Sequence, residues 1–289
     1  MTLKTNRNIY LRVKDHSVSG EEFVIKKNLE FGYLETHPQP NISELPLYYQ
    51  SENYISHTDS KRNLFEKIYH FVRDFSTYRK VNLINKYSGT GNKKLLDIGC
   101  GTGDFLYAAK KQEWIITGIE PNDKARNIAI EKNSNIIYDS NKLFEFKKES
   151  FDVITLWHVL EHLPNLENHI SIIKKILKPN GVLIIAVPNY KSYDAEYYKE
   201  FWAAYDVPRH LWHFSKQSIG LLCAKFSLKV IKYKSMWYDS FYVSLLSEKY
   251  KTGKMNPIKG FLIGAISNIK ALFSKQPSSV IYIIKSTNN

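Results

Sequence analysis

The stretch KLLDIGCGTGDF, residues 94–105, decides the fold of this chain. A run of apolar residues typical of a buried strand leads into glycines at positions 99, 101 and 103, and a helical pattern begins at Asp104. Glycines at such a turn let the backbone pass close to a ligand, toward which the first amides of the following helix point. The spacing is GxGxG, which differs from the GxGxxG of dinucleotide-binding enzymes. The stretch therefore predicts a strand–turn–helix ligand site and favours a ligand other than a dinucleotide.

The segments around this stretch alternate between apolar runs and helical patterns. Continuous rather than alternating apolar character predicts strands that helices cover on both faces, as in a parallel sheet. The predicted strands are KLLDIG, WIITGIE, NIIYD, FDVITLW, GVLIIAVPN, LKVIKYKSMWY and SSVIYIIK. The predicted helices cover residues 104–112, 122–133, 166–177 and 215–226, and Pro179 and Gly181 end the third of them. This order predicts a doubly wound α/β domain with a seven-stranded sheet.

The sequence divides into a small appendage and a main domain that contains the predicted sheet. Residues 1–50 predict a small, irregular, partly β appendage. Residues 51–289 predict the main domain, in which residues 51–88 form a helical lead-in and residues 239–278 an insertion between the last two strands.

Four motifs in the main domain resemble those of class I S-adenosylmethionine-dependent methyltransferases. DIGCGTG matches the first motif of that family, and GIEP matches the second, in which an acidic residue ends the second strand. FDVITLWHVLEHLPN and LKPNGVLIIAVPN resemble the fourth-strand motif and the turn into strand five. The motifs follow the family's order between residues 94 and 189. The resemblance implies a Rossmann-like fold, S-adenosylmethionine (SAM) as the cofactor, and methyl transfer as the reaction.

The resemblance also implies which residues contact the cofactor. Glu120 would hold the ribose hydroxyls, and Trp157 and His158 would lie beside the sulfonium. Asp139 would either contact the adenine or serve as a plain turn residue. The full expected set is Asp97, Gly99, Cys100, Gly101, Gly103, Glu120, Pro121, Asp139, Trp157 and His158.

The stretch YDVPRHLWHFS, residues 205–215, is the candidate for the acceptor side of the site. It follows the fifth strand, so in this fold it lies at the carboxyl ends of the strands, near the cofactor. The candidate catalytic residues are His210, His213 and Arg209. We expect His210 to be the general base that a hydroxyl acceptor needs, His213 mainly to pack, and Arg209 to hold an anionic group of the acceptor. The alternative is that both histidines only order the loop.

No metal site is expected from these residues. His210 and His213 are only two ligands, no cysteine lies near them, and methyl transfer from a sulfonium needs no metal. Glu161 and His162, which follow the fourth strand, are interpreted as structural because the family carries them there irrespective of substrate.

The N-terminal sequences GYLETHPQP and LYYQSENYISH resemble a leader module that binds zinc through four cysteines in related methyltransferases. This chain has no cysteine before Cys100, so packing must hold the module together. Tyr54 and His57, with Tyr49, are expected either to fold over the site as a lid or to form an aromatic interface with the domain. Tyr54, His57 and Trp202 are the candidate acceptor contacts.

The composition limits the classes that remain. The chain of 289 residues is 43% hydrophobic and 24% charged, as in a globular protein. Its two cysteines exclude a disulfide framework and suit a reducing, cytoplasmic compartment. The N-terminus lacks the apolar segment of a signal peptide, and no apolar run is long enough to span a bilayer.

The formal net charge of +13 is concentrated near the C-terminus, where residues 225–289 hold 11 lysines against two acidic residues. Within residues 251–276, apolar residues recur at helical spacing: Ile258, Leu262, Ala265 or Ile266, Ile269 and Leu272. A basic amphipathic helix can lie on a membrane surface, cap an apolar acceptor pocket, form a homodimer contact or simply pack on the domain.

Three functions follow from these patterns. The leading one is SAM-dependent methyl transfer to a small-molecule, lipid or saccharide-type acceptor, most simply to oxygen, in the cytoplasm or at the inner membrane surface. The second is an RNA or protein methyltransferase that uses the lysine-rich surface, although no RNA-binding module or NPPY-type signature supports a nucleic-acid substrate. The third is a non-catalytic cofactor-binding protein, against which the intact glycine turn argues.

Overall fold

All seven predicted strands are present in the computed structural model, which describes residues 8–41, 43–49, 64–89, 93–134 and 136–287. The strands in chain order are β1 (Ile9–Lys14), β2 (Glu22–Lys27), β3 (Leu34–His37), β4 (Lys94–Ile98), β5 (Ile115–Ile119), β6 (Ile137–Tyr138), β7 (Phe151–Trp157), β8 (Leu177–Pro188), β9 (Trp212–His213), β10 (Leu228–Ser235) and β11 (Ser279–Ser286). The helices are α1 (Leu64–Tyr87), α2 (Asp104–Lys110), α3 (Asp123–Asn133), α4 (Leu166–Ile176), α5 (Tyr193–Tyr198), α6 (Lys216–Lys225), α7 (Asp239–Thr252) and α8 (Pro257–Ser274).

The main sheet has the strand order β10-β11-β8-β7-β4-β5-β6. Strands β6, β5, β4, β7 and β8 pair in parallel, whereas β11 runs antiparallel to both β8 and β10. The strand order reverses between β4 and β7, and in such sheets ligands bind at the carboxyl ends of the strands beside this point. The predicted doubly wound α/β fold is confirmed.

Apolar residues are buried on both faces of this sheet. Leu96 and Ile154 belong to the core on one face, whereas Leu95 and Val153 belong to the core on the other. Successive residues of a strand point to opposite faces, so apolar runs without alternation are what a doubly covered sheet requires.

The helices between these strands start and stop within two residues of their predicted limits. Asn122 caps α3 by accepting a hydrogen bond from the Ala125 amide, and Ser215 forms a capping box with Ser218 at the start of α6. The segment KPNG, residues 178–181, is expected to form a turn between a helix and a strand, but it lies within a strand. Leu177 already pairs with β7, so KPNG forms an irregular beginning of β8.

The N-terminal appendage forms a second sheet with the order β1-β2-β3-β9. Its fourth strand, β9, belongs to the stretch of residues 205–215 and pairs with β3. The appendage and the main domain also share a core, which contains Val13, Phe23, Ile25, Leu34, Tyr190, Tyr198, Trp202, Tyr205 and Val207. The two parts therefore pack as one unit, and the predicted boundary at residues 50 and 51 lies outside the described residues.

The predicted insertion at residues 239–278 consists of the helix pair α7 and α8. Small residues bring the two helices together, since a Cβ on Gly260 or on Gly264 would lie 2.9 Å from a backbone atom of α7. The apolar side chains that recur along α8 point the other way, with 37–77% of their surface exposed: Ile258, Leu262, Ile266, Ile269 and Leu272. No helix in the described part of the chain is both long enough and apolar enough to cross a membrane.

Candidate active site

The turn after β4 is held against the end of β5. The amides of Gly99 and Cys100 both donate to the carbonyl oxygen of Ile119, at 2.7 and 3.0 Å. Gly99 and Gly101 have φ values of +71° and +56°, a left-handed conformation that side chains rarely adopt. A Cβ on Gly99 would lie 2.4 Å from Val159 Cγ2, whereas a Cβ on Gly101 would meet no atom of the described residues within 4 Å. Gly99 is therefore needed for packing, and Gly101 faces open space.

The remainder of the turn connects it to the helices. Gly103 begins α2 with a φ of +77°, and a Cβ there would lie 2.4 Å from Asn133 Nδ2 of α3. The Cys100 thiol is buried, and burial raises its pKa, so this thiol stays protonated and unreactive. Gly103 and Cys100 are therefore interpreted as packing residues of the turn: Gly103 leaves no room for a larger side chain, and Cys100 is a small buried one.

Glu120 follows β5, and backbone amides fix its carboxylate against the turn. Its Oε2 accepts a hydrogen bond from the Gly101 amide at 2.8 Å, and its Oε1 accepts one from the Asn122 amide at 2.9 Å. Burial raises the pKa of Glu120, while these two hydrogen bonds favour the ionised form. Each carboxylate oxygen retains lone-pair capacity. Glu120 can therefore accept hydrogen bonds from the two hydroxyls of a ribose beside the glycine turn.

Asp97 lies buried at the end of β4, where its Oδ1 accepts a hydrogen bond of 2.6 Å from the Thr155 hydroxyl. Burial raises the pKa of Asp97 to about 7, although the Thr155 hydrogen bond and the charge of Lys80 act in the opposite direction. The carboxyl group is thus poised to ionise when a cationic ligand approaches.

Pro121 and Asp139 lie on the same edge of the sheet as Glu120. The Glu120 amide donates to the carbonyl of Tyr138, the residue before Asp139, at 2.9 Å. Asp139 is exposed, and its Oδ1 accepts a hydrogen bond of 2.8 Å from the Asn141 amide. It therefore serves as a turn residue here, and it also borders the edge where an adenine would lie.

His158 follows β7 with a φ of +57°, a strained conformation for a residue other than glycine. Its Nε2 lies 3.0 Å from Asp239 Oδ2, and its Nδ1 lies 3.4 Å from Glu161 Oε1. Burial disfavours the charged ring, but the hydrogen bond to Asp239 and the charges of both carboxylates outweigh it and raise the pKa of His158 to about 10. His158 is therefore an imidazolium at neutral pH. The preceding residue, Trp157, packs edge-on against Phe105.

Asp239 is a site residue that the motifs do not reveal. It opens α7, so the insertion between the last two strands begins with a direct contact to His158. Its only signal in the sequence is that it is one of two acidic residues in the lysine-rich segment of residues 225–289.

Arg209 is buried in a network that joins the loop to the appendage. Its Nη2 donates to both Asp15 Oδ1 and Asp206 Oδ1 at 2.8 Å, and its Nη1 donates to the Tyr48 carbonyl at 3.0 Å. An anionic acceptor would have to displace one of these two carboxylates. The geometry therefore favours a structural role over the expected contact with the acceptor.

His213 and Trp202 also lie in the core that the appendage shares. The Thr36 hydroxyl donates to the His210 carbonyl at 2.6 Å, so it accepts from His213 Nε2 at 3.0 Å. Burial lowers the pKa of His213 well below its usual range. The Trp202 indole donates to a buried carboxylate, Asp194, at 2.7 Å. Neither side chain has the access that contact with an acceptor requires.

Glu161, His162 and His210 come together where the segment after β7 meets the loop of residues 205–215. One ligand-type atom from each side chain lies within 4.8 Å of the other two. The Nδ1 atoms of His162 and His210 lie 3.0 and 2.8 Å from backbone carbonyl oxygens. A carbonyl only accepts, so each Nδ1 carries a proton, and in the neutral ring the lone pair is then on Nε2. Glu161 is 1% exposed, and neither of its carboxylate oxygens has a hydrogen-bond donor among the described residues.

This grouping is absent from the sequence-based expectations, in which His210 pairs with His213. The two segments meet because the Leu211 amide donates to the Glu161 carbonyl at 2.8 Å, a contact between residues 50 positions apart. No local spacing in the sequence signals such a contact.

The expected lid residues Tyr54 and His57 lie outside the described part of the chain. Tyr49, which precedes them, places its hydroxyl 3.0 Å from His162 Nδ1. The appendage therefore reaches the group of Glu161, His162 and His210.

Comparisons with known proteins agree with this geometry. A family model for a methyltransferase domain matches residues 61–233, which is more than half of the chain. A ubiquinone biosynthesis O-methyltransferase of Pasteurella multocida is 33% identical over 134 residues, which are 41% of this chain and 55% of the relative. A protein of the same name from Histophilus somni is 39% identical over 113 residues, which are 35% of this chain and 48% of the relative. The chain thus spans about half the length of the curated relatives that it matches.

Solved structures share the fold at low sequence identity. A SAM-dependent methyltransferase from Archaeoglobus fulgidus has a TM-score of 0.51 at 18% identity, and the match covers 78% of this chain and 100% of the other. A phosphoethanolamine N-methyltransferase 2 of Haemonchus contortus, solved with SAM, has a TM-score of 0.57 at 15% identity. This match covers 96% of this chain and 71% of the other. By its family match, its sheet and its glycine turn, this chain belongs to the class I SAM-dependent methyltransferases.

Proposed function

We propose that this chain uses SAM to methylate a hydroxyl oxygen of a small-molecule, lipid or saccharide-type acceptor. The observation that carries the proposal is the Glu120 carboxylate, which two backbone amides orient against the glycine turn. This arrangement fits a ribose at the point where the strand order reverses. The curated relatives are named O-methyltransferases, which supports oxygen as the methylated atom.

The main contribution of the protein to this reaction is to align the acceptor with the methyl group of bound SAM. Bound SAM supplies an activated methyl group on its sulfonium. Glu120 and the glycine turn hold the nucleoside end, so the acceptor must approach from the side of His158 and the loop of residues 205–215. Alignment of two bound reactants can supply roughly 7–11 kcal/mol of the barrier reduction.

His210 is the residue that we assign to the acceptor hydroxyl. The Ala204 carbonyl accepts from its Nδ1 at 2.8 Å, which leaves the Nε2 lone pair for a proton or an electrophile. A hydroxyl bound at this edge can lose its proton as the methyl group arrives. A His210→Asn variant should therefore lose turnover while its affinity for SAM stays unchanged.

A membrane surface is the partner that we propose for α8. Phe273 is 82% exposed on α8, Phe261 is 61% exposed although its ring stacks on Phe241 of α7, and residues 249–289 contain seven lysines and no acidic residue. Apolar insertion together with positive charge fits an anionic bilayer. Because the insertion starts with Asp239 beside His158, a membrane-bound α8 would keep the site close to a lipid-soluble acceptor.

Methyl-labelled SAM tests the proposed reaction directly. The purified chain should transfer label to phenols and alcohols, with higher kcat/KM for acceptors that carry an apolar tail, and the product should be a methyl ether. Label that enters only RNA or protein would contradict the proposal. So would binding of SAM without label transfer to any hydroxyl acceptor in a broad panel.

A further inference from the structure

We infer that Glu161, His162 and His210 form a binding site for a divalent transition-metal ion. The three side chains come from two segments that meet at the carboxyl end of β7, and their ligand-type atoms lie within 4.8 Å of one another. Two imidazoles and one carboxylate make a common set of three protein ligands, which leaves further positions on the ion for other molecules.

Glu161 supplies the first independent reason. A carboxylate only accepts hydrogen bonds, and when buried it needs donors or a cation. Glu161 is 1% exposed, and both oxygens lack a donor within the described part of the chain. The imidazolium of His158 forms an ion pair with this carboxylate, with its Nδ1 3.4 Å from Oε1. This imidazolium is therefore a charge partner for Oε1 only, and a metal ion beside Oε2 would provide the partner that this second oxygen lacks.

The two histidines supply the second reason. The Arg209 and Ala204 carbonyls accept from Nδ1 of His162 and His210, respectively, so the lone pair of each ring resides on Nε2. Metal-binding histidines usually donate their other ring N–H to a carbonyl or a carboxylate, which fixes the tautomer and the ring orientation. The rings of His162 and His210 also approach edge-to-face, with centroids 4.5 Å apart.

The chemistry of these donors indicates the class of ion. Imidazole nitrogen suits zinc, iron, copper and nickel, whereas magnesium and calcium prefer sites made of oxygen. A tetrahedral zinc ion with bonds of about 2.0–2.1 Å holds its ligands roughly 3.4 Å apart. The three side chains would therefore approach one another by about 1 Å on binding.

The site lies close to the cofactor side of the sheet. Val159, two residues before Glu161, is the side chain that a Cβ on Gly99 would strike. If the proposed O-methylation holds, an ion here would lower the pKa of an acceptor hydroxyl, and His210 Nε2 would bind the ion instead of taking the proton. The oxygen then bonds to the methyl carbon, the carbon–sulfur bond breaks with its electrons on sulfur, and the proton passes to water.

Zinc binding to the EDTA-treated full-length chain tests the site without any activity assay. The wild type should bind one equivalent of Zn²⁺ and should melt at a higher temperature when zinc is present. Glu161→Gln and His210→Asn should each weaken binding by at least about tenfold, since even a residue that only supports a ligand has an effect of that size. His169→Asn, which alters a histidine of α4 outside the group, should bind zinc like the wild type.

Two further measurements keep this test decisive. Glu161→Gln preserves shape but removes the charge that faces His158, so its metal-free melting temperature should be compared with that of the wild type as a check on folding. Co²⁺ added to the wild type should give the visible absorption of a nitrogen- and oxygen-bound ion even if a variant misfolds. Absence of stoichiometric zinc, equal affinity in all variants, or preference for Mg²⁺ over Zn²⁺ would overturn the proposal. Binding of SAM to the metal-free chain distinguishes failure of this site from failure of the proposed function.

Discussion

Single residues of the glycine turn have separate tasks. Gly99 packs against Val159, while a Cβ on Gly101, whose amide donates to Glu120, would meet none of the residues that the structure describes. Both glycines have positive φ values, for which any other residue costs about 1–2 kcal/mol. The two positions therefore differ in what an added methyl group would meet, protein at Gly99 and ligand space at Gly101.

Alanine substitutions distinguish these tasks. Gly101→Ala should lower the free energy of unfolding by only about 1–2 kcal/mol, the cost of its backbone conformation. It should nevertheless weaken SAM binding strongly, because its methyl group enters the space in front of the turn. Gly99→Ala adds a clash with Val159 and should lower the unfolding free energy further. Urea unfolding and calorimetric SAM titration of both variants measure the two effects, and equal SAM affinity of Gly101→Ala and the wild type would contradict the assignment.

Local motifs predict which residues meet at the glycine turn. Gly99, Gly101 and Glu120 lie within two short segments, and the hydrogen bonds that join them follow from the pairing of neighbouring strands β4 and β5. The group of Glu161, His162 and His210 is not predictable in this way. It depends on how the loop of residues 205–215 packs over the end of β7, which involves contacts across 50 residues of sequence.

At the scale of elements, α8 shows what helical periodicity leaves open. The period of its apolar residues predicts a helix, and the structure has one over Pro257–Ser274. Periodicity does not say which side faces the domain. Close approach to α7 requires small side chains, so the side with Gly260 and Gly264 is buried and the apolar side is exposed.

This exposed side predicts binding to anionic vesicles. The double variant Phe261→Ser, Phe273→Ser should bind them at least about tenfold more weakly, because burial of one phenylalanine side chain contributes roughly 1.5–3 kcal/mol. Co-sedimentation with vesicles that contain phosphatidylserine measures the effect, and added salt should weaken binding of the wild type. Leu29→Ser, which removes a 76% exposed side chain from the appendage, is the matched control.

Two outcomes would contradict the membrane assignment of α8. One is equal vesicle binding by the wild type and the double variant. The other is a wild-type dimer in sedimentation equilibrium that the double variant converts to a monomer, which would assign the exposed side of α8 to a contact between two copies of the chain.

At the scale of the whole molecule, the ion pair of Asp15 and Arg209 links the appendage to the main domain. Asp15 lies just after β1, and its Oδ1 accepts from Arg209 Nη2 at 2.8 Å. Burial opposes ionisation, but the hydrogen bonds from Arg209 and from backbone amides outweigh it and lower the pKa of Asp15 to about 2. Together with the shared core, this pair predicts that both parts unfold in one transition.

The shift of the Asp15 pKa sets a pH window for stability. Its folded pKa lies below its unfolded value of 3.8, so its contribution is present above pH 4 and is lost as the pH falls toward 2. This difference in pKa between the folded and unfolded states corresponds to at most about 2.5 kcal/mol of stability. Asp15→Asn leaves Arg209 buried with one carboxylate fewer and should lower the unfolding free energy at pH 7 by roughly 3 kcal/mol.

Urea unfolding at several pH values measures this effect. The difference between the wild type and Asp15→Asn should shrink between about pH 4 and pH 2. Glu22→Gln is the control, since it removes an exposed ion pair with Arg12 on the same appendage and should cost under about 1 kcal/mol. A constant difference at every pH, or two separate unfolding transitions in the wild type, would contradict the link.

The sequence predicts the main sheet far better than the union of appendage and domain. Apolar runs and glycine turns are local signals, and they specify strands β4 to β8 directly. The pairing of β9 with β3 involves a two-residue strand inside a loop, for which periodicity has too few residues. The sequence indicates that this loop either lines the acceptor site or is merely ordered by its histidines, and neither interpretation includes its pairing with the sheet of the appendage.

Calorimetric titration of SAM tests the central claim most directly. The wild-type chain should bind one equivalent of SAM, and Glu120→Gln should bind it roughly 10- to 100-fold more weakly, because a hydrogen bond to a charged group contributes about 1.5–3 kcal/mol. His169→Asn should bind SAM like the wild type. A wild-type chain that does not bind SAM, or a Glu120→Gln variant with unchanged affinity, would contradict the account.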